Sequence, residues 1–211
     1  MYDETAQSAS FWVRLVEIDE EIRDAVRCAG CPWCEGPLDT SDYPRKPRGI
    51  PEALEAAFST RLSLCCRLCR RRVTPPSVRF LGRRVYAGAI VLLATMGALL
   101  CGASRRTLGR WRAWWTTGLP ATSWWLAACA RLIPAVDRHG LPGELLRRFE
   151  HADQVGQQAL LETLRFLQPV TARLGEHFEG DRWTGGFAQK THISRNGHDL
   201  VGGNRVPARL N

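Results

Sequence analysis

Six of the eight cysteines fall between positions 28 and 69. Four of them form two Cys-x-x-Cys hooks, Cys31-Pro32-Trp33-Cys34 and Cys66-Arg67-Leu68-Cys69, with 31 residues between. One such turn brings two thiolates to a single ion, and two turns complete a tetrahedron of sulfurs. That is the donor set of a closed structural zinc site. Pro32 stiffens the first turn, and Gly36 lets the chain curl towards the sulfurs. The gap is longer than such sites usually have, and Pro51 to Phe58, a helix-like run, reads as an insertion that fills it. Cys28 and Cys65 are alternative ligands in a shifted register. The competing chemistry is a disulfide pair or free thiols. The N-terminal stretch is acidic and lacks an apolar leader, which points to a reducing, cytoplasmic setting where thiols meet metal rather than each other. Cys101 and Cys129 lie in apolar runs and read as core.

The second chemical signal is positive charge. The formal net charge of +8 conceals an uneven distribution: residues 1–42 carry 3 basic and 10 acidic side chains, residues 43–112 carry 15 basic and 2 acidic, and residues 113–211 carry 11 and 9. Only Lys46 and Lys190 are lysines. Arginine offers a planar fork suited to phosphate and to guanine edges. Confinement of the excess to the middle third of the chain implies a polyanionic partner, most simply nucleic acid. Arg45, Lys46 and Arg48, on a proline-bounded loop, and Arg70, Arg71 and Arg72, directly after the second hook, are placed to meet phosphates.

The elements that must position these groups follow from periodicity. Residues 1–10 are polar and read as loose. Phe11, Leu15, Ile18, Ile22 and Val26 recur at helical spacing, with Ser10 as a cap and Glu17, Asp19, Glu20, Glu21 and Asp24 on a solvated face. Arg61 to Leu64 reads as a strand into the second hook, and Val73-Thr74 as the strand out of it. Pro75-Pro76 then marks a linker, across which Arg79, Arg83 and Arg84 continue the charge. Val85 to Ser104 holds twenty residues without a charge, long enough for a membrane span. Its glycines, alanines and symmetric arginine flanks favour buried core helices instead.

A helix-turn-helix fits that second choice. With Ala94 as the first position, Ala98 takes the fifth, where a small residue lets two helices approach. Gly102 takes the ninth, where the turn needs positive φ. Ser104 caps the second helix, and Cys101, Ala103, Leu108 and Trp111 fall at positions of the unit that face inwards. Arg105, Arg106 and Arg110 then project outwards as a major-groove reader requires, with Thr107 set for a phosphate or a thymine methyl. The cysteine hooks, the arginine-rich segment with Thr74-Pro75-Pro76, and the Gly-x-Ser-x-x-Thr-Leu-x-Arg-Trp run at 102–111 together resemble the DNA-binding front half of insertion-element transposases. The resemblance covers roughly residues 28–115 and implies that ribbon and helix-turn-helix bind the element's terminal repeats. The RNase-H-like catalytic domain of those enzymes, with its acidic trio, has no counterpart in residues 113–211.

The rest reads as helical. Trp114-Trp115 and Trp124-Trp125 bracket a turn and read as core. Thr122 caps a helix through Ile133, Pro142 opens one through Phe149, and Gln154 to Phe166 forms a third, whose leucines (Leu160, Leu161, Leu164, Leu167) offer a dimer seam. His139, His151 and His177 are scattered, and from Gly180 onward a flexible tail is expected, in which Arg195, Arg205 and Arg209 add non-specific contacts. The expected architecture is mainly α: an N-terminal helix (1–27), a zinc ribbon with short β strands (28–76), a helix-turn-helix (77–116), a helical region (117–179) and a tail (180–211). The expected function is a non-enzymatic, zinc-containing protein bound to double-stranded DNA and tied to a mobile element, with a homodimer as a candidate assembly, either recruiting a separate transposase or recombinase or repressing a promoter. The alternatives are a membrane-anchored adaptor using residues 85–104 and a small metal-dependent nucleic-acid enzyme.

Overall fold

A computed structural model describes residues 2–82, 84–130, 132–150 and 156–172, which belong to one compact unit. The expected tail, with Arg195, Arg205 and Arg209, and also His151 and His177, lie outside the described residues. The fold is mainly α with two small antiparallel sheets.

The chain opens with α1 (Tyr2–Gln7) and α2 (Ala9–Ala29). The first ten residues are therefore largely helical rather than loose. Trp12 explains this: its Nε1 donates to the Ala6 carbonyl at 2.9 Å and ties the short helix to the long one. The five apolar residues read from periodicity on α2 are all buried, with Trp12 beside them. The helix starts one residue before Ser10, and Ser8 takes the N-cap position.

Next come β1 (Leu38–Thr40), β2 (Tyr43–Pro44), a 3₁₀ turn with α3 (Glu52–Leu54, Glu55–Phe58), β3 (Thr60–Arg61), β4 (Leu64–Cys66) and β5 (Arg72–Val73). One sheet has the order β1-β4-β5, with Leu38 opposite Cys66 and Leu64 opposite Val73; β2 and β3 form the other. The insertion expected between the hooks is present as α3. Its Phe58 joins an edge-to-face chain of rings, Phe11–Trp12–Phe58–Phe80, with centroids 5.4, 5.5 and 6.0 Å apart.

The segment expected to be a linker is core. Val73 through Leu81, including Pro75 and Pro76, is buried throughout. The reason is Asp19. This carboxylate, read as solvated, is buried and accepts from Ser77 Oγ (2.6 Å), Val78 N–H (2.7 Å) and Arg79 Nε (2.8 Å). It thereby pins the segment against α2, and Thr171 Oγ1 accepts from Ser77 N–H at 2.7 Å on the other side.

The C-terminal half contains α4 (Gly88–Thr95), α5 (Arg105–Ala113), a π-helical turn (Trp114–Gly118), α6 (Ser123–Cys129), α7 (Gly143–Phe149) and α8 (Gln157–Leu167). All of α4 is buried. Ile90, Val91, Leu92 and Leu93 each contribute about 1.5–3 kcal/mol by leaving water, which is why so short a helix persists. At Gly88 an added Cβ would lie 3.2 Å from Leu164 Cδ2 and 3.3 Å from the Val78 carbonyl, so glycine permits the helix to close on its neighbours. No helix among the described residues is long and apolar enough to cross a membrane. The eight residues of α4 rise about 12 Å, against a hydrocarbon core of about 30 Å. The leucine stripe of α8 is buried inside the unit and does not offer a seam to a second copy. α6 stops at Cys129, short of Ile133.

Candidate metal centre and basic surface

The two hooks fold into the same local shape. In the first, Cys31 N–H donates to the Gly36 carbonyl (2.9 Å) and Glu35 N–H to the Cys31 carbonyl (2.8 Å). In the second, Cys66 N–H donates to the Arg71 carbonyl (2.9 Å) and Arg70 N–H to the Cys66 carbonyl (3.1 Å). The residue after each closing cysteine is left-handed, Glu35 at φ 58° and Arg70 at φ 59°. Gly36 was expected to provide the curl, but the positive φ falls one residue earlier. Gly36 serves proximity instead: an added Cβ would sit 2.8 Å from Leu68 Cδ1 and 3.2 Å from Cys66 Sγ.

The β1–β4 pairing sets the hooks face to face. The Sγ atoms of Cys31 and Cys69 are 3.5 Å apart and those of Cys34 and Cys66 are 3.4 Å apart. All four lie within 4.8 Å of one another. A tetrahedral ion with metal–sulfur bonds of about 2.3 Å requires sulfur separations of roughly 3.8 Å, so the cage is close to that size. Cys28 and Cys65 stand outside it; Cys65 Sγ instead faces the Arg70 carbonyl at 3.5 Å. The arrangement can hold a metal through four sulfurs.

The cage is electrostatically prepared at one corner. Burial opposes ionisation of Cys66, but the N–H groups of Cys69 and Leu68 and the Cys34 thiol outweigh it and bring its pKa down to about 6. At Cys69 the Arg71 N–H favours the thiolate, but burial and the neighbouring Cys31 and Cys66 sulfurs prevail and push the pKa up. The cluster thus favours the thiolate at the Cys66 corner, and binding a metal there would draw off the protons that remain.

The basic residues divide into free and engaged groups. Arg70 and Arg71 are exposed beside the second hook, and the Arg71 guanidinium lies 5.4 Å from the ring centre of Trp33 on the first. Arg72 is held by Ser41, donating to its carbonyl and its hydroxyl at 3.1 Å each, and stacks on Tyr43. Arg45 is half-buried and donates to the Arg84 carbonyl at 2.6 Å, so it secures a loop rather than reaching outwards. Lys46 and Arg48 are exposed, with the Arg48 backbone bridged to Tyr86. Arg79, expected to extend the surface charge, is in the core, as is Arg61.

The expected helix-turn-helix is present only in part. Its second helix is α5, capped by Ser104, whose Oγ accepts from Thr107 N–H at 3.2 Å. Trp111 is buried edge-on against Tyr86 at 5.0 Å, and Leu108 is half-buried. Arg105, Arg106 and Arg110 are exposed, and Thr107 is partly covered, meeting Arg110 Nη2 at 3.4 Å. The first helix, expected from Ala94, instead ends at Thr95, and Met96 to Ala103 is not helical. Gly97 stops it, left-handed at φ 76°. Gly102 does have the expected positive φ, 65°, but within a longer connection rather than a tight turn.

Two residues on these surfaces were missed. Arg112 is exposed on α5, and its place seven residues after Arg105 was signal enough to find it. Trp33, to which the spacing of the first hook assigns no role, lies under the Arg71 guanidinium. No protein-family model, curated protein or solved structure matches the chain.

Proposed function

We propose that this chain is a non-enzymatic zinc protein that binds duplex DNA in the cytoplasm and serves a mobile element. The observation that carries the reading is the solvent face of α5. Arg105, Arg106, Arg110 and Arg112 share it with no acidic residue on the helix, while Trp111 on the opposite face anchors it. An anchored helix whose exposed face carries four arginines and no acid suits a groove lined by phosphates. Arg70 and Arg71 add a second point of backbone contact. Zinc is the metal that best fits four thiolates of this spacing. A full set of sulfurs leaves no open position for a reacting water, which supports a structural role. The resemblance to transposase DNA-binding regions supplies the biological setting, as the recruiter of a separate recombinase or as a repressor.

The test is selection of bound sequences from random duplex DNA by the full chain, with and without zinc. Enrichment of one motif that vanishes on chelation supports the reading. Equal retention of all sequences by both forms refutes it.

A further inference from the structure

α4 ends on a fixed stop that turns the chain outwards. Gly97, at φ 76°, donates its N–H to the Ala94 carbonyl at 3.1 Å, and Ala98 N–H donates to the Leu93 carbonyl at 3.0 Å. These two bonds close the helix end and set the direction in which the 96–103 connection leaves. Its far end is fixed as well, by Gly102 at φ 65° and by the Ser104 cap of α5. Between the two ends stands Leu100, 98% exposed and the most exposed large apolar side chain among the described residues. Leu99, Leu100 and Cys101 line an open groove of about 470 Å³ together with Gly49, Pro51 and Ile90. The connection therefore lies beside the loop of Lys46 and Arg48, both exposed. That loop is tied to α5, because Arg48 bridges Tyr86 and the Tyr86 ring meets Trp111. Arg105 and Arg106 are exposed at the start of α5, so Leu100 is an apolar point with cationic elements on two sides. The chain carries no acidic side chain from Ala56 to Val136.

A single exposed leucine is ordinary on a protein surface. One held at both ends among cations has the chemistry of a wedge: the cations grip phosphates while the apolar tip enters between stacked bases. Resting on the reading that α5 binds duplex DNA, we infer that Leu100 inserts between two base pairs and kinks the duplex. Leu100 precedes Ser104 by four residues, a reach of about 14 Å. The kinked step therefore lies within about four base pairs of those beneath the start of α5. The kink lets the 46–48 loop and α5 engage phosphates on either side of it.

The experiment uses the full zinc-loaded chain and the duplex enriched by selection. A fluorescent adenine analogue that brightens on unstacking is placed at each step in turn, and dyes at the two ends report bending. Wild type should brighten the analogue severalfold at one step and bend the duplex by about 20–90°. Leu100→Ser should lose both effects with Tm unchanged, and Leu100→Met should keep both. Leu126→Ser, at another exposed leucine, should behave as wild type. If Leu100→Ser does not fold, the wild-type scan decides alone. Binding without a bright step, or with a bend that survives Leu100→Ser, overturns the wedge and leaves the DNA-binding reading standing. Loss of self-association in Leu100→Ser, with the duplex straight in wild type, would assign the leucine to a second copy and also overturns it. Failure of wild type to retain any duplex refutes the functional reading itself, and the wedge falls with it.

Discussion

Glu35 and Arg70 occupy equivalent places in the two hooks, and glycine at each separates folding from binding. Both hold positive φ, 58° and 59°, with a Cβ that this region disfavours. The left-handed conformation costs an L-residue about 1–2 kcal/mol. Glycine removes that cost but adds unfolded-state entropy worth about 0.5–1 kcal/mol. Glu35→Gly and Arg70→Gly should therefore each stabilise the fold by about 0.5–1 kcal/mol, raising Tm by roughly 1–4 °C. Because the energy of a structural metal is largely folding energy, zinc should bind about two- to fivefold more tightly in both. Their DNA binding should diverge. Arg70 is exposed and has no acceptor within hydrogen-bond reach among the described residues, leaving its guanidinium for a phosphate. Arg70→Gly should weaken specific and scrambled duplexes alike and lower the salt slope by about one unit. Glu35→Gly removes a negative charge and should leave affinity equal or higher. The assays are thermal unfolding, competition with a chromogenic zinc chelator, and duplex titration at several salt concentrations. A fall in Tm or zinc affinity in both variants would refute the strained-knuckle reasoning. Unchanged DNA affinity in Arg70→Gly would remove that residue from the interface.

Cys31→Ser and Cys69→Ser should each lose the one zinc per chain and unfold the small sheet, read by metal analysis and hydrogen exchange; retention of full zinc would move the site to Cys28 or Cys65. Alanine at Arg105, Arg106 or Arg110 should cost about 1–3 kcal/mol on the preferred duplex and blur one or two base pairs for at least one of them, whereas equal losses on specific and scrambled duplexes would mean that α5 meets only backbone. Asp19→Ala leaves Arg79 buried and unpaired and should destabilise by about 3–5 kcal/mol in chemical denaturation. A loss under 1 kcal/mol would show that Asp19 does not pin the 74–81 segment.

Several features were legible in the chain because their causes are local. A Cys-x-x-Cys turn places two sulfurs on one side of a few residues whatever surrounds it, so the four clustered cysteines were readable from spacing. A period of 3.6 states which face of α2 turns inwards, and Ser104 before Arg105 states where α5 begins. What the sequence concealed depends on partners far along the chain. Asp19 lies among five acids that look alike in one dimension. Only the arrival of Arg79, sixty residues later, takes it out of water. The same contact turns Pro75-Pro76 from an apparent linker into core, and it removes Arg79 from the charged surface. Which sulfur faces which, Cys31 with Cys69 and Cys34 with Cys66, is decided by the β1–β4 register and not by either hook. Periodicity counts residues along one element, while burial of a charge is settled by whatever packs against it, so the four-sulfur cluster could be read from the sequence and the buried arginines could not.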